Sequence, residues 1–201
     1  MCGLAGFLGQ GNQDIIRKMT EAVKHRGPDD EGFYNFGNLY LGHRRLSIID
    51  LSGGHQPLAN EDGTIWIIFN GEIYNFLELR KDLEKTGHKF KTRTDTETIV
   101  HLYEEEGEDF LKKLNGMFAL ALWDEKNRKI ILARDRLGQK PLYYSLVNQT
   151  LIFGSELKSL LEHPLIKKEI DFDSLNKYLT YEYVPAPETI IKGIKKIEPG
   201  Q

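Results

Sequence analysis

Apolar residues recur along this chain with two different periods. Between Asn12 and Gly27, the residues Ile15, Ile16, Met19 and Val23 share one helical face, and Gly27-Pro28 stops the run, so a helix is predicted there. "NFLELRKDLEKTG" reads as a second helix ending at Gly87, and "TDTETIVHLYEEEG" as a third that opens on a Thr/Asp cap. "SELKSLLEH" and "DFDSLNKYLTYEY" also carry helical spacing. The short-period segments read as strands. "CGLAGFLG" is one, rich in small residues, and "EGFYNFG" and "LYLGHRRLSIID" flank a Gly37-Asn38 turn as a hairpin. "TIWIIFNGEI" is an apolar strand that ends at Asn70-Gly71. Residues 117–156 read as an antiparallel meander with a turn at Glu125-Lys126-Asn127. No repeat and no βαβ rhythm is present, which favours an α+β fold of antiparallel sheets covered by helices. One domain is expected over residues 2–190, and 191–201 as the start of a linker leading toward a further domain.

Composition narrows the function. The 201 residues are 40% hydrophobic and 28% charged, and the formal net charge is -3. That balance suits a globular protein and argues against nucleic acid or an anionic membrane as the main partner. No apolar run approaches the ~20 residues of a membrane span, and the N-terminus lacks the pattern of a signal peptide. One cysteine excludes an internal disulfide and any CxxC metal motif, so no metal site is expected. The default location is the cytoplasm, where thiols stay reduced.

That single cysteine is residue 2. If Met1 is removed, Cys2 carries a thiol and a free α-amine, both titrating near neutrality, so one residue supplies a nucleophile and its base. A thiol acting on a carboxamide needs an oxyanion hole. Asn70 offers a side-chain amide and Gly71 an unshielded N–H. Arg45 could fork onto a carboxylate and Asp95 could hold an ammonium group. Each has a plainer reading: an inert thiol, an Asn-Gly turn, a solvated strand arginine, a helix-capping aspartate. The residues alone leave the choice open.

Taken in order, "MCGLAGFLG", "HRGPDDEG", "RRLSIIDLSGGHQPL", "NGEIYN", "TDTETIV", "GMFALALWD", "ARDRLGQKPLYY" and "FGSELKSLL" resemble the glutaminase half of the glutamine-dependent asparagine synthetases, which are class II glutamine amidotransferases. The resemblance covers residues 2 to about 200. It implies an N-terminal-nucleophile hydrolase fold, a four-layer αββα sandwich of antiparallel sheets. It implies Cys2 as nucleophile, Asn70 and Gly71 as oxyanion hole, and Arg45 on the glutamine α-carboxylate, with Leu46, Ser47, Ile48 and Ile49 lining that strand. Glu72 and Asp95 would surround the α-amine. Residues 51–57 would form a loop closing over glutamine, with His55 in that lid. Arg26 to Asp29 are expected to be architectural. Arg134, Asp135 and Arg136 read as a charge run at a strand end, solvated or paired, or else facing a partner domain. Trp66, Phe118, Tyr143 and Tyr144 read as core. Nothing matches the S-G-G-x-D-S nucleotide loop of the family's synthetase domain. No cofactor is therefore expected here, and ATP and Mg belong only to that absent domain. The implied partners are glutamine and a C-terminal synthetase domain of the same chain, and a homodimer is compatible with them. Two rivals stand beside a glutaminase: a glutamine-binding module without turnover, and a hydrolase of another amide.

Overall fold

The computed structural model describes residues 1–48, 50 and 53–201. Its strands are β1 (Gly3–Leu8), β2 (Asp30–Phe36), β3 (Leu39–Arg45), β4 (Leu58–Ala59), β5 (Ile65–Ile73), β6 (Gly116–Asp124), β7 (Lys129–Arg134), β8 (Tyr143–Val147), β9 (Thr150–Gly154) and β10 (Lys195–Lys196). Its α-helices are α1 (Gln13–Glu21), α2 (Phe76–Thr86), α3 (Asp95–Glu106), α4 (Phe110–Lys113), α5 (Leu157–Leu160) and α6 (Phe172–Tyr181). The strands form two antiparallel sheets, one of order β10-β8-β9-β1-β3-β2 and one of order β4-β5-β6-β7.

Side-chain alternation makes four layers of these elements. On β5, Ile65, Ile67, Phe69 and Ile73 pack toward Leu83 of α2 and Ile99, Val100 and Leu102 of α3. The intervening Trp66 and Ile68 pack between the sheets. On β6, Phe118, Leu120 and Leu122 join the helical core while Ala119, Ala121 and Trp123 join the inter-sheet core. In the six-stranded sheet, Leu4, Leu39, Leu41 and Phe153 face inward. Ala5, Phe7 and Ile152 face Ile16 and Met19 of α1 and Leu160 of α5. Both faces of each sheet are covered, so β5 and β6 read as continuous apolar runs. Tyr34 and Trp66 stack across the sheets with ring centroids 3.9 Å apart. This is the αββα sandwich that the resemblance implies.

Three expectations are corrected. β5 does not end at Asn70-Gly71: Asn70, Gly71 and Glu72 pair with Ala119, Phe118 and Met117, and the strand runs on to Ile73. The presumed meander is split, because β6 and β7 lie in one sheet and β8 and β9 in the other. Finally, the charged triplet at the end of β7 is paired rather than solvated, and its partners are backbone groups. Asp135 is 1% exposed, and its carboxylate accepts from the N–H groups of Phe118, Leu137, Gln139 and Lys140. The Arg134 side chain donates to the carbonyls of Gly138, Lys140 and Ile197, and Arg136 to those of Lys112 and Leu114. These bonds carry the chain from one sheet to the other.

The helix expected over 155–163 is a single turn, Leu157–Leu160. Residues assigned to a linker are packed: β10 pairs with β8, Ile194 and Ile197 are buried, and the Gln201 carbonyl accepts from Arg134 N–H. Among the described residues no helix is long and apolar enough to cross a membrane.

Candidate active site

Cys2 stands at the mouth of β1, a strand paired on both sides, by β3 and β9. Arg26 fixes its backbone: Nε donates to the Cys2 carbonyl at 2.9 Å, while Nη1 pairs with Glu156 at 2.9 Å. The thiol faces the Leu46 carbonyl at 3.8 Å, and burial pushes its pKa up. A desolvated thiol favours its neutral form, so it needs a nearby base to ionise. Met1 lies in the same cleft, where its sulfur accepts from Lys140 Nζ at 3.4 Å.

The cleft encloses ≈ 580 Å³, open mouth included, and β5 supplies its wall. Asn70 lies on the same strand face as Ile68 and Trp66, toward the other sheet. Its side chain is 2% exposed and its Nδ2 is buried without a hydrogen-bond partner. A buried, unpaired amide donor is costly and calls for an explanation.

Gly71 adds a second donor through strand geometry. Phe118, its partner on β6, spends both its N–H and its C=O on Asp135, on the β7 side. Gly71 and Phe118 are therefore a non-hydrogen-bonded pair, and the Gly71 N–H points away from β6. Its neighbours on that edge are satisfied. Phe69 N–H donates to Gln56 Oε1 at 2.6 Å, and Ile73 N–H to Asp95 Oδ2 at 2.9 Å. Only glycine fits here, since a Cβ would sit 2.2 Å from the Met117 carbonyl oxygen.

Opposite charges face each other across the cleft. Arg45, at the end of β3, is 6% exposed, and its Nη2 donates to the Asp50 carbonyl at 2.6 Å. Gly54 makes room for it: a Cβ there would lie 2.2 Å from Arg45 Nη2. Asp95 opens α3 at its first residue. The helix cap is Thr94, whose side chain accepts from Glu97 N–H, so the Asp95 carboxyl is free to bind Ile73. Burial pushes the Asp95 carboxyl up to about 6, and neighbouring Glu72 adds to the shift.

The cleft thus gathers Cys2, Arg45, Leu46, Ile48, Asn70, Gly71, Glu72 and Asp95. Ser47 is not among its lining residues; its N–H donates to Asp29 at 2.8 Å. Ile49, Leu51 and Ser52 lie outside the described residues, so the expectations for Ile49 and for the start of the 51–57 loop are not addressed. His55 is exposed and its Nδ1 meets Asp30 Oδ2 at 2.7 Å. Gln56, within the 51–57 loop expected over glutamine, lines the cleft, whereas sequence reasoning missed Thr94, Thr96, Met117 and Lys140, which also line it.

Away from the cleft, Glu61, His88, His101 and Glu104 come together with their donor atoms all within 4.8 Å. No motif announces them, because they arise from three separate segments.

The four-layer sandwich thus places a thiol at the mouth of its first strand, in a cleft that also holds a buried amide donor and opposite charges. The glutamine amidotransferase domain family matches residues 1–201, and the chain belongs to that family. It is 42% identical over its whole length to asparagine synthetase [glutamine-hydrolyzing] 1 of Bacillus subtilis, of which it covers 33%. It is 43% identical, again over its whole length, to a putative asparagine synthetase [glutamine-hydrolyzing] 2 of Methanocaldococcus jannaschii, of which it covers 43%. The chain spans a third to under half of these relatives. Among solved structures, glutamine phosphoribosylpyrophosphate amidotransferase from B. subtilis superposes with a TM-score of 0.69 at 23% identity, over 79% of this chain and 42% of that one. That likeness concerns the fold.

Proposed function

We propose that this chain hydrolyses glutamine to glutamate and ammonia through a thioester on Cys2, once Met1 is removed. The Cys2 amine takes the thiol proton, and the sulfur attacks the side-chain amide carbon. The resulting oxyanion is held by Asn70 Nδ2 and Gly71 N–H, and the amine returns the proton to departing ammonia. Water then cleaves the thioester. Arg45 binds the α-carboxylate, and Asp95 with Glu72 the α-ammonium. The observation that carries this reading is the buried, unpaired Asn70 Nδ2 on the wall of the cleft that holds the thiol.

The names of the relatives support a further step. In a longer protein, the ammonia would serve ATP-dependent amidation of aspartate in a following synthetase domain, and ATP and Mg would bind there. A cytoplasmic setting fits the need for a reduced thiol.

Glutamate release from glutamine tests the proposal. Cys2→Ala is expected to abolish it, and Asn70→Ala to lower kcat by about 10²–10³-fold. Equal release by the parent and Cys2→Ala would defeat the assignment. The second reading, a glutamine-binding module, draws on Met1 lying in the cleft. An intact mass that retains Met1 would favour it, since the amine is then on the wrong residue.

A further inference from the structure

We propose that Glu61, His88, His101 and Glu104 form a tetrahedral Zn²⁺ site on the far part of α3. The four donor atoms all lie within 4.8 Å of one another. His101 Nδ1 lies 2.9 Å from Glu104 Oε2 and 3.2 Å from Glu61 Oε2. His88 Nδ1 lies 3.3 Å from Glu61 Oε1 and 3.8 Å from Glu104 Oε2. A tetrahedron of nitrogen and oxygen ligands around zinc at ~2.0–2.2 Å has edges of about 3.3–3.6 Å, so the set would contract along its longest edges, which reach up to 4.8 Å, to close on an ion. The chemistry suits zinc as well, being two imidazoles and two carboxylates.

The surroundings form the outer shell such a site requires. Both rings would bind through Nδ1, and both present Nε2 to another carboxylate: His88 to Glu105 at 3.0 Å and His101 to Glu97 at 3.8 Å. A metal-bound imidazole characteristically donates its second N–H in this way. His101 is fully buried, and its Nε2 has no hydrogen-bond partner. The carboxylate ligands are held too. Glu104 accepts from Asn60 Nδ2 at 2.7 Å and Glu61 from Lys89 N–H at 3.1 Å. A neutral imidazole has one N–H, yet His88 meets a carboxylate within hydrogen-bond distance at each nitrogen. An ion at Nδ1 with the proton on Nε2 satisfies that ring, and a doubly protonated ring is the alternative that the metal titration excludes. The ion would tie together the loop after β4, the segment following α2 and helix α3.

The test uses untagged protein in the Cys2→Ala background, which removes the thiol as a competing ligand. After treatment with a chelator it is titrated with ZnCl₂ and, separately, CoCl₂. One equivalent of zinc per chain is expected, with the intense visible absorption of four-coordinate cobalt and a rise in Tm on zinc addition. Glu105→Ala should weaken zinc binding about tenfold, and His88→Ala by more than about 100-fold with the zinc-dependent rise in Tm lost. His88 is near the surface, so retained far-UV circular dichroism will show that this variant folds; Glu104→Gln provides an independent second ligand loss. Absence of a stoichiometric site, a weak six-coordinate cobalt spectrum, or unchanged affinity in folded His88→Ala would overturn the proposal.

Discussion

The charge of the Asp95 carboxyl is acted on in opposite directions, by burial and Glu72 against it and by the N–H of Ile73 for it. Its Oδ2 accepts the N–H of Ile73, and burial raises its pKa to about 6. A substrate ammonium beside it would favour the ionised form and pull the value back down. Glutamine binding should therefore be coupled to loss of a proton below about pH 6. Calorimetric titration of glutamine into Cys2→Ala should give an affinity that is level above about pH 7 and falls roughly tenfold per pH unit well below 6. Asp95→Asn should bind weakly with no such slope. A level profile in the parent across pH 6 would separate Asp95 from the amine. The neighbouring Cys2 follows the same rule: burial disfavours its thiolate, which makes an adjoining amine base all the more necessary.

At the scale of elements, the crossover between the sheets depends on Asp135. Two N–H groups bind each of its oxygens, Leu137 and Gln139 at Oδ1, Phe118 and Lys140 at Oδ2. Asparagine has one oxygen to offer, and its amide would meet two N–H donors head-on. Asp135→Asn should therefore cost roughly 2–4 kcal/mol, read as a lower urea midpoint with an unchanged m-value. A loss under about 0.5 kcal/mol would show that the network is not needed. This network also explains what the sequence could and could not convey. Helix ends and the 37–38 hairpin were legible, because they depend on residues close in the chain. So were Cys2, Arg45, Asn70 and Asp95 as a recognisable set. The split of the 117–156 strands was hidden, because an aspartate that gathers the N–H groups of its own following turn and of Phe118 looks in sequence like any surface charge. The continuation of β5 was hidden too, since Asn-Gly usually turns the chain but here faces Ala119 and Phe118 in register. His88 and His101 belong to the same category, their neighbours being set by packing alone.

For the whole molecule, the two sheets are joined by apolar packing and by a few buried polar bridges. His43 on β3 is fully buried, and its Nε2 meets the Phe69 carbonyl on β5 at 3.1 Å. A carbonyl only accepts, so Nε2 carries the proton of a neutral ring. Burial pushes the imidazole down to about 4, against the ordinary 6.5. Because the folded value is the lower one, the unfolded chain binds an extra proton between pH 6.5 and 4. Stability from this group is present above pH 6.5 and is lost as the pH falls through that window, to the extent of roughly 3 kcal/mol. Asp95, whose folded pKa is raised, acts oppositely: it favours the folded state at low pH and loses that advantage between about 4 and 6. A single acid titration would blend the two, so the informative quantity is a difference. His43→Gln keeps an amide N–H able to reach Phe69 and cannot be protonated. Whatever the gap in unfolding free energy between parent and His43→Gln at pH 7, it should shift by about 3 kcal/mol in favour of the variant by pH 4, because Asp95 cancels in the comparison. Urea unfolding at pH 7, 5.5 and 4 measures it, and a gap constant across that range would mean that the inter-sheet core accepts a charged imidazole without penalty.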